Sequence, residues 1–236
     1  MLNINEIKNQ IINADCMDVL KQLPDKCIDL ILTDPPYGID ITRTGKMGNN
    51  NCAMANDYGP EEWDKEIPAK EYFDEMFRVS KNQIIFGGNY FVDRMNINSS
   101  CWIVWDKNNT GNYAPCELAF TSFPGVLKKY SWTWNGMLQE NMKEKEIRIH
   151  RTQKPVGLLK MILADFYDAN AGGIVADFFS GSGSTAIACA EYDIPFLAVE
   201  KSEHHYKNSL KRLKDAQAQT KLFSGLEVLR SVQNRR

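Results

Sequence analysis

A carboxylate, two prolines and an aromatic ring stand together at Asp34, Pro35, Pro36 and Tyr37, directly after the apolar run 28–33. Two successive prolines fix φ and donate no hydrogen bonds, so they form a rigid stub that holds the carboxylate and the prolyl carbonyls in place. Such acceptors can bind the N–H groups of a planar exocyclic amine, localise its lone pair and aim it at a methyl donor. Tyr37 then offers an aromatic face on which a flipped-out base could stack. A bare Pro-Pro pair would indicate only a strand-ending turn, whereas the four residues together form a candidate catalytic group.

A second group runs from Asp177 to Thr185 and contains Gly181 and Gly183 in a turn between a predicted strand and a predicted helix. Open α/β sheets bind ligands at such turns, where glycine lets the backbone approach the ligand and the helix N-terminus presents free N–H groups. The turn lacks the lysine of a phosphate-cradling loop, and by itself it is as consistent with packing as with nucleotide binding. Glu200 ends the next strand, where a carboxylate can accept hydrogen bonds from both ribose hydroxyls. Together these residues predict a nucleoside-containing cofactor.

Apolar periodicity predicts strands and helices that alternate along most of the chain. The predicted strands are 28–33, 83–86, 101–105, 117–123, 174–177 and 196–199, and the predicted helices are 17–23, 69–79, 156–167, 184–192 and 203–217. This alternation is typical of a doubly wound, mostly parallel α/β sheet. Both chemical groups follow strands, so we expect them at the carboxyl edge of one sheet. The stretch 108–151 has one predicted strand, and the last dozen or so residues are predicted to form a polar tail.

The composition is that of an ordinary globular domain. The net charge is −2 and the pI about 6.0, which argues against a protein that coats nucleic acid, although basic residues between 128 and 154 could line a local cleft. Six cysteines and three histidines are scattered without zinc spacing, so we expect no metal and reduced thiols in a bacterial or phage-type cytoplasm. No apolar run suits a membrane span, and the amino end lacks a secretion-signal pattern. The 236 residues fit one domain, 1–236, and a homodimer is compatible with the sequence.

These motifs together resemble the amino-directed DNA methyltransferases, which modify adenine N6 or cytosine N4. Residues 34–37 match the family's catalytic tetrapeptide and 177–183 its S-adenosylmethionine loop, in an order that resembles the β subgroup. Four further segments are similar to family motifs: 13–16, 87–89, 105–107 and 150–155. Within them Ala14 replaces a common glycine and Arg151 a frequent proline. The resemblance extends from about residue 13 to residue 213 and is weakest over 108–148.

The resemblance implies a Rossmann-like, seven-stranded sheet with one antiparallel strand near an edge, and S-adenosylmethionine as the cofactor. The candidate cofactor-binding residues are Asp15, Cys16, Lys154, Asp177, Phe178, Phe179, Ser180, Gly181, Ser182, Gly183, Glu200 and Lys201. A target-recognition region is expected as an insertion at 108–150, where Tyr130, Trp132 and Trp134 are equally compatible with packing and with contacts to DNA. A mobile loop at 39–60 would close over the base.

The function expected from the resemblance is transfer of a methyl group from S-adenosylmethionine to adenine N6 in double-stranded DNA, as in restriction–modification. Asp rather than Ser at position 34 favours adenine over cytosine within the family. Methylation of cytosine N4 or of RNA is the alternative in the same class. A dinucleotide-dependent oxidoreductase is disfavoured because Ala186 stands where its third glycine would fall. A non-catalytic DNA-binding module is disfavoured by the intact polar set of Asp15, Asp34, Lys154 and Glu200.

Overall fold

The computed structural model describes residues 2–40, 46–47, 56–57, 64–95, 98–109, 114–135, 138–219, 229–230 and 233. Most of the loop predicted at 39–60 therefore lies outside the described residues. The helices are α1 (Ile4–Ile7), α2 (Cys16–Leu20), α3 (Lys70–Val79), α4 (Val92–Met95), α5 (Val156–Phe166), α6 (Ser184–Glu191) and α7 (Glu203–Gln219). The strands are β1 (Gln10–Asn13), β2 (Ile28–Thr33), β3 (Lys46–Met47), β4 (Asn56–Asp57), β5 (Ser80–Phe86), β6 (Trp102–Asp106), β7 (Cys116–Thr121), β8 (Lys128–Ser131), β9 (Trp134–Asn135), β10 (Leu138–Gln139), β11 (Val175–Asp177) and β12 (Phe196–Glu200).

Within the ranges that the structure describes, eight strands form the main sheet, in the order β1-β12-β11-β2-β5-β7-β6-β8. β7 is antiparallel to both of its neighbours, and the other neighbouring pairs are parallel. The predicted α/β class, with a doubly wound, mostly parallel sheet and one antiparallel strand, is therefore confirmed. The expected count of seven strands is wrong by one, because β8 extends the sheet at its edge. β8 contains Lys128 and Lys129 and buries only Tyr130. Such a mostly polar pattern is typical of an edge strand, and because it is not an apolar run it does not predict a strand.

The order of the chain through the sheet reverses between β2 and β11. From β2 the chain moves outward to β5, whereas from β11 it moves outward in the opposite direction to β12. Leu30 pairs with Val175 and Ile31 with Ala176, so the carboxyl ends of the two strands lie side by side. This reversal opens a crevice at the strand ends, where doubly wound sheets bind ligands. The two motifs that follow β2 and β11 therefore meet at one place.

Helices cover both faces of the sheet. α5, α6 and α7 pack on one face with Leu30 and Leu32, and α2, α3 and α4 pack on the other with Ile28 and Ile31. All four strand residues are buried, which explains why β2 is apolar except for Asp29 and Thr33 rather than strictly alternating. Burial of each such side chain contributes roughly 1.5–3 kcal/mol, so β2 forms a rigid base for the residues that follow it.

The range 108–150 contributes β7 and β8 to the main sheet, while β9 and β10 form a separate hairpin. Its central aromatic residues are used for packing. The Tyr130 hydroxyl bonds to Asp165, and the Trp132 ring lies so close to Gly157 that a Cβ there would come within 2.1 Å of it. The Trp134 ring lies 4.1 Å beneath the guanidinium of Arg148. These aromatic residues secure the segment to α5 and to itself, and the recognition role of the range stays a prediction.

The carboxyl-terminal residues that the structure describes depart from the predicted polar tail. Leu229 is fully buried in the core beside α5. The side-chain amide of Gln233 donates to the carbonyls of Ala164 and Tyr167, at 3.1 and 2.6 Å, and thereby caps the end of α5. The prediction of a solvated tail is wrong at these positions, because a single leucine among polar residues gives no periodic signal. Within the described chain, no helix is long and apolar enough to span a membrane.

Candidate active site

A cavity of about 600 Å³ opens where the carboxyl ends of β2 and β11 meet. Thirteen of the sixteen candidate residues line it: Asp15, Cys16, Asp34, Pro36, Lys154, Asp177, Phe178, Phe179, Ser180, Gly181, Ser182, Glu200 and Lys201. Pro35, Tyr37 and Gly183 do not border it, although each adjoins a residue that does. The carboxylate at position 34 and the glycine turn thus open onto a shared cavity, as the sequence predicted.

Asp34 is held by two polar partners. The Tyr37 hydroxyl donates to Oδ1 at 2.6 Å, and the Lys154 ammonium pairs with Oδ2. Lys154 Nζ also donates to the Tyr37 oxygen at 3.3 Å. Burial raises the pKa of Asp34, and the positive charge of Lys154 opposes that rise. Lys154, predicted from the resemblance to lie near the cofactor, therefore places its charge at the proposed catalytic carboxylate.

Glu117 on β7 extends this group, although the sequence did not single it out. Its Oε2 lies 3.1 Å from Lys154 Nζ, and its Oε1 lies 2.5 Å from Lys107 Nζ. Burial disfavours the charged form of Glu117, but the two ammonium groups outweigh burial and lower its pKa to about 2. Burial likewise opposes ionisation of Lys154, yet Asp34 and Glu117 raise its pKa. Lys107 belongs to the recognised motif 105–107, whereas an acidic residue inside a predicted strand gave no signal of its own.

The Tyr37 ring is not open to the cavity in this structure. It stacks on Tyr90, with ring centroids 4.9 Å apart and planes 14° from parallel, and meets Phe91 edge-on at 6.1 Å. Gly87, at φ +69°, lies against the same ring, and a Cβ there would come within 2.2 Å of it. The motif glycine therefore makes room for Tyr37, whose hydroxyl is thereby aimed at Asp34. The expected stacking of Tyr37 on a base stays a proposal.

The glycine turn is fastened to the strand beside it. Gly181 and Gly183 adopt φ values of +50° and +75°, which side chains rarely tolerate. The Gly181 N–H donates to Glu200 Oε2 at 2.7 Å, and the Ser202 N–H donates to Oε1 at 2.7 Å. Glu200 is thus held by N–H groups of the turn and of the residue that follows β12.

Asp177 joins β11 to β2 beneath the cavity. Its Oδ1 accepts from the Thr33 hydroxyl at 2.7 Å and from the Phe179 N–H at 3.1 Å. Burial nevertheless raises the pKa of Asp177 to about 6, because these hydrogen bonds only partly offset the loss of hydration. Asp177 therefore lines the cavity mainly as a support for the turn.

The raised pKa of Asp177 predicts a measurable dependence of stability on pH. The folded protein holds this proton up to about pH 6, whereas an unfolded Asp releases it near its ordinary value of 3.8. The contribution of Asp177 to stability is therefore complete below pH 4 and is lost as the pH rises to about 6. Asp177→Asn does not titrate, so we expect the wild-type advantage over the variant in urea unfolding to shrink by about 3 kcal/mol across this window. Parallel stability curves for the two proteins would contradict the assignment.

Asp15 forms the far wall of the cavity. It caps α2 by accepting from the Met17 N–H at 2.9 Å, and it pairs with Lys201 Nζ at 2.9 Å. Burial works against its charge, but Lys201 and the Met17 N–H lower its pKa overall. Burial raises the pKa of the adjacent Cys16 thiol to about 12, so this thiol stays protonated at neutral pH. The Tyr72 hydroxyl lies 3.5 Å from Asp15 and adds an aromatic ring to the wall.

Several residues that line the cavity were not predicted as site residues from the sequence. Tyr72 lies within the predicted helix 69–79 and His205 within the predicted helix 203–217, and neither belongs to a recognised motif. His205 packs edge-on against His150 with ring centroids 4.5 Å apart, beside Gly181. Burial lowers the pKa of His150 to about 3, so this ring is neutral at physiological pH. The wall beside the glycine turn is therefore aromatic and uncharged at His150.

Arg212 on α7 links the turn to the segment before α5. Its guanidinium donates to the Ser182 carbonyl at 3.1 Å and to the Ser184 hydroxyl at 2.9 Å, and it pairs with Glu146 at 2.5 Å. Glu146 in turn accepts from the Val156 N–H at 2.8 Å, at the start of α5. This ion pair is largely buried, so it restrains the turn from behind rather than facing the cavity. Among the described residues, no group of three or more His, Cys, Asp or Glu side chains forms a metal site.

The doubly wound sheet is Rossmann-like, and its glycine turn and the carboxylate of Asp34 open onto one cavity at adjacent strand ends. A family model described as DNA methylase matches residues 124–211. The type II methyltransferase M.HinfI of Haemophilus influenzae is 26% identical over 90% of this chain and 70% of its own length. The crystal structure of an M1.HpyAVI–SAM complex is similar with a TM-score of 0.54 and 22% identity, over 86% of this chain and 98% of that one.

A second solved structure, the PvuII DNA methyltransferase (cytosine-N4-specific), is similar in fold with a TM-score of 0.56 at 12% identity, over 96% of this chain and 91% of its own. The sequence relatives and the family model agree with the motifs, and the solved structures agree with the fold. These matches support the resemblance of the chain to the amino-directed DNA methyltransferases. Its assignment to the β subgroup by motif order stays a prediction.

Proposed function

We propose that the chain is an S-adenosylmethionine-dependent DNA methyltransferase that modifies adenine at N6. The observation that carries this proposal is the shared cavity, which Asp34 and the turn at 180–182 both line. A transfer between two bound molecules requires their reacting atoms to approach to about 3–3.5 Å, which only a common cavity allows. Hydride transfer by an oxidoreductase would not require the fixed carboxylate of Asp34 and its partners, which disfavours that alternative.

The residues at the turn fit S-adenosylmethionine. Asp15 and Glu200 are suited to the polar groups of its adenosine, with Glu200 accepting from ribose hydroxyls. The Tyr72 and Phe179 rings, 6.3 Å apart, offer apolar surface for a planar base. The Ser180 hydroxyl is buried and finds no hydrogen-bond partner among the described residues, so it can take one from the ligand. When bound, the cofactor supplies an activated methyl group on a sulfonium.

The residues around Asp34 are proposed to act on the exocyclic amine of the target base. Asp34 accepts an N–H bond of the exocyclic nitrogen, and the carbonyl of Pro35 is the proposed second acceptor, so that the lone pair is localised and aimed. Tyr37 and Lys154 hold the carboxylate in one orientation, which lowers the entropy cost of alignment. The proton that the amine loses after transfer passes to Asp34 or to solvent. The lone pair of a planar amine is delocalised into the ring, so the amine is a poor nucleophile. Aligning this lone pair with the methyl group is therefore the protein's contribution to the rate of methyl transfer.

DNA is the proposed partner, and the range 108–150 is the proposed recognition region. Lys143 and Lys145 are exposed there, beside the exposed apolar side chains of Leu138, Met142 and Ile147. Lysine side chains suit phosphate contacts, and exposed apolar side chains suit contacts with base edges or steps. Closure of the loop 39–60 over the base, homodimer formation and a place near the nucleoid stay predictions of the sequence.

Cytosine N4 is the second candidate target, because the fold is similar to that of the cytosine-N4-specific PvuII enzyme. Asp at position 34 favours adenine. The test incubates purified protein with isotopically labelled S-adenosylmethionine and unmethylated bacterial genomic DNA, then digests the DNA to nucleosides for mass spectrometry. We expect labelled N6-methyldeoxyadenosine. N4-methyldeoxycytidine would establish the second candidate instead, and label that enters only a parallel RNA sample would refute a DNA substrate.

A further inference from the structure

Four charged side chains of alternating sign form a row that begins at the cavity, where Asp34 and Lys154 line the wall, and continues behind it through Glu117 to Lys107. Lys107 pairs with Glu117 at 2.5 Å, Glu117 lies 3.1 Å from Lys154, and Lys154 pairs with Asp34. Asp34, Glu117, Lys107 and Lys154 have side-chain exposures of 17%, 19%, 17% and 6%, so solvent screens the row weakly. The formal charges of the four sum to zero.

This row presents a difficulty for the proposed chemistry. Asp34 has one oxygen engaged by the Tyr37 hydroxyl and the other by the Lys154 ammonium. An amine that attacks a methyl group acquires positive charge on nitrogen. A lysine cation held at the same carboxylate would repel that charge and would also neutralise the group that should stabilise it. The resting arrangement therefore has to change before Asp34 can serve the base.

We propose that Glu117 is a positioning residue, which receives the Lys154 ammonium when Asp34 takes up the target amine. This inference rests on the proposed methyl transfer. Nζ is already within hydrogen-bond distance of Glu117 Oε2, so a small movement of the ammonium completes the exchange. Lys107 holds the other oxygen of Glu117 and keeps its carboxylate facing Lys154. Lys154 is thus never left without an anionic partner, which is important because an unpaired buried charge is costly.

The first test is Glu117→Gln, which keeps the shape and removes the charge. Lys154 then has Asp34 as its only anionic partner in the row and stays on it. We expect single-turnover methyl transfer to genomic DNA, at saturating cofactor, to slow on the order of 10- to 100-fold, the effect of one hydrogen bond to a charged group. Binding of S-adenosylhomocysteine should be nearly unchanged. The matched control is Glu191→Gln, which removes the pairing with Lys160 at 2.7 Å away from the cavity and should leave the rate unchanged.

A second test separates positioning from a merely structural role. Lys154→Met leaves Asp34 and Glu117 as two neighbouring anions, which is unfavourable. Adding Glu117→Gln removes one anion, so the double variant should be at least as fast as Lys154→Met alone. Independent structural damage would instead multiply the two losses. Glu117→Asp keeps the charge on a shorter stem and should retain more activity than Glu117→Gln; if Glu117→Gln does not fold, this variant is compared with the wild type instead.

The outcomes distinguish this proposal from the function on which it rests. Wild-type protein that transfers no methyl group refutes both. An active wild type with Glu117→Gln as fast as Glu191→Gln overturns the role of Glu117 alone. Multiplicative losses in the double variant, or an Asp variant no better than the Gln variant, also overturn it.

Discussion

Replacing Asp34 with Ala should slow methyl transfer about 10²–10³-fold while binding of the cofactor stays nearly intact. The carboxylate lies at the end of β2, where Tyr37 and Lys154 hold it, and Glu200 and the glycine turn occupy another part of the cavity wall. Loss of a preorganised acceptor aimed at the reacting group typically costs about 10²–10³-fold in rate. Single-turnover transfer of labelled methyl groups to DNA measures the first quantity, and calorimetric titration with S-adenosylhomocysteine measures the second.

The matched control for this prediction is Asp29→Asn on the same strand. Asp29 is also a paired carboxylate, with Lys81 Nζ at 2.7 Å, and it accepts from the Ile174 N–H at 2.8 Å, but it lies at the amino end of β2. Its loss should lower stability without a large change in the rate of folded enzyme. Equal losses of methyl transfer and of cofactor binding in Asp34→Ala would remove Asp34 from the catalytic role.

The part of the fold that the sequence predicted well is the part whose signal is local. β2 matches its predicted bounds, 28–33, because a strand buried on both faces is a run of apolar residues that ends sharply at two prolines. The same rule placed Asp34 and the glycine turn at neighbouring strand ends, since both follow central strands of a doubly wound sheet. The positions of the two motifs at one sheet edge therefore follow from the sequence alone.

The parts that the sequence did not predict depend on contacts between distant segments. Glu117 enters the site because β7 runs antiparallel beside β5, which carries its side chain to Lys154 across 37 positions of sequence. Lys154 points to Asp34 rather than away from it because Asp34 and Glu117 are its nearby anions. Tyr90 covers the Tyr37 ring through a short turn with no periodicity. Composition and residue spacing do not predict these side-chain positions, because each position depends on how separate elements pack.

Removing the Glu200 carboxylate is expected to weaken cofactor binding more than it slows the chemical step. Glu200 is fixed by the N–H groups of Gly181 and Ser202, at the strand end where a carboxylate can bind ribose hydroxyls. Loss of hydrogen bonds to a charged acceptor costs about 1.5–3 kcal/mol, so Glu200→Ala should raise the dissociation constant of S-adenosylhomocysteine about 10- to 100-fold. The single-turnover rate at saturating cofactor should fall much less, because Asp34 and its partners are unchanged.

Glu203→Ala controls for the loss of a carboxylate near the same turn. Glu203 lies in the first turn of α7, exposed and paired with Lys207 at 2.6 Å, and its removal should leave the dissociation constant unchanged. Glu200→Ala also deprives the Gly181 N–H of its acceptor, so urea unfolding of both variants is needed to show that the turn persists. If the Glu200 variant unfolds normally and binds S-adenosylhomocysteine as tightly as the wild type, then Glu200 only supports the turn. Another group would then have to bind the ribose, and Asp15 is a second carboxylate that lines the same cavity.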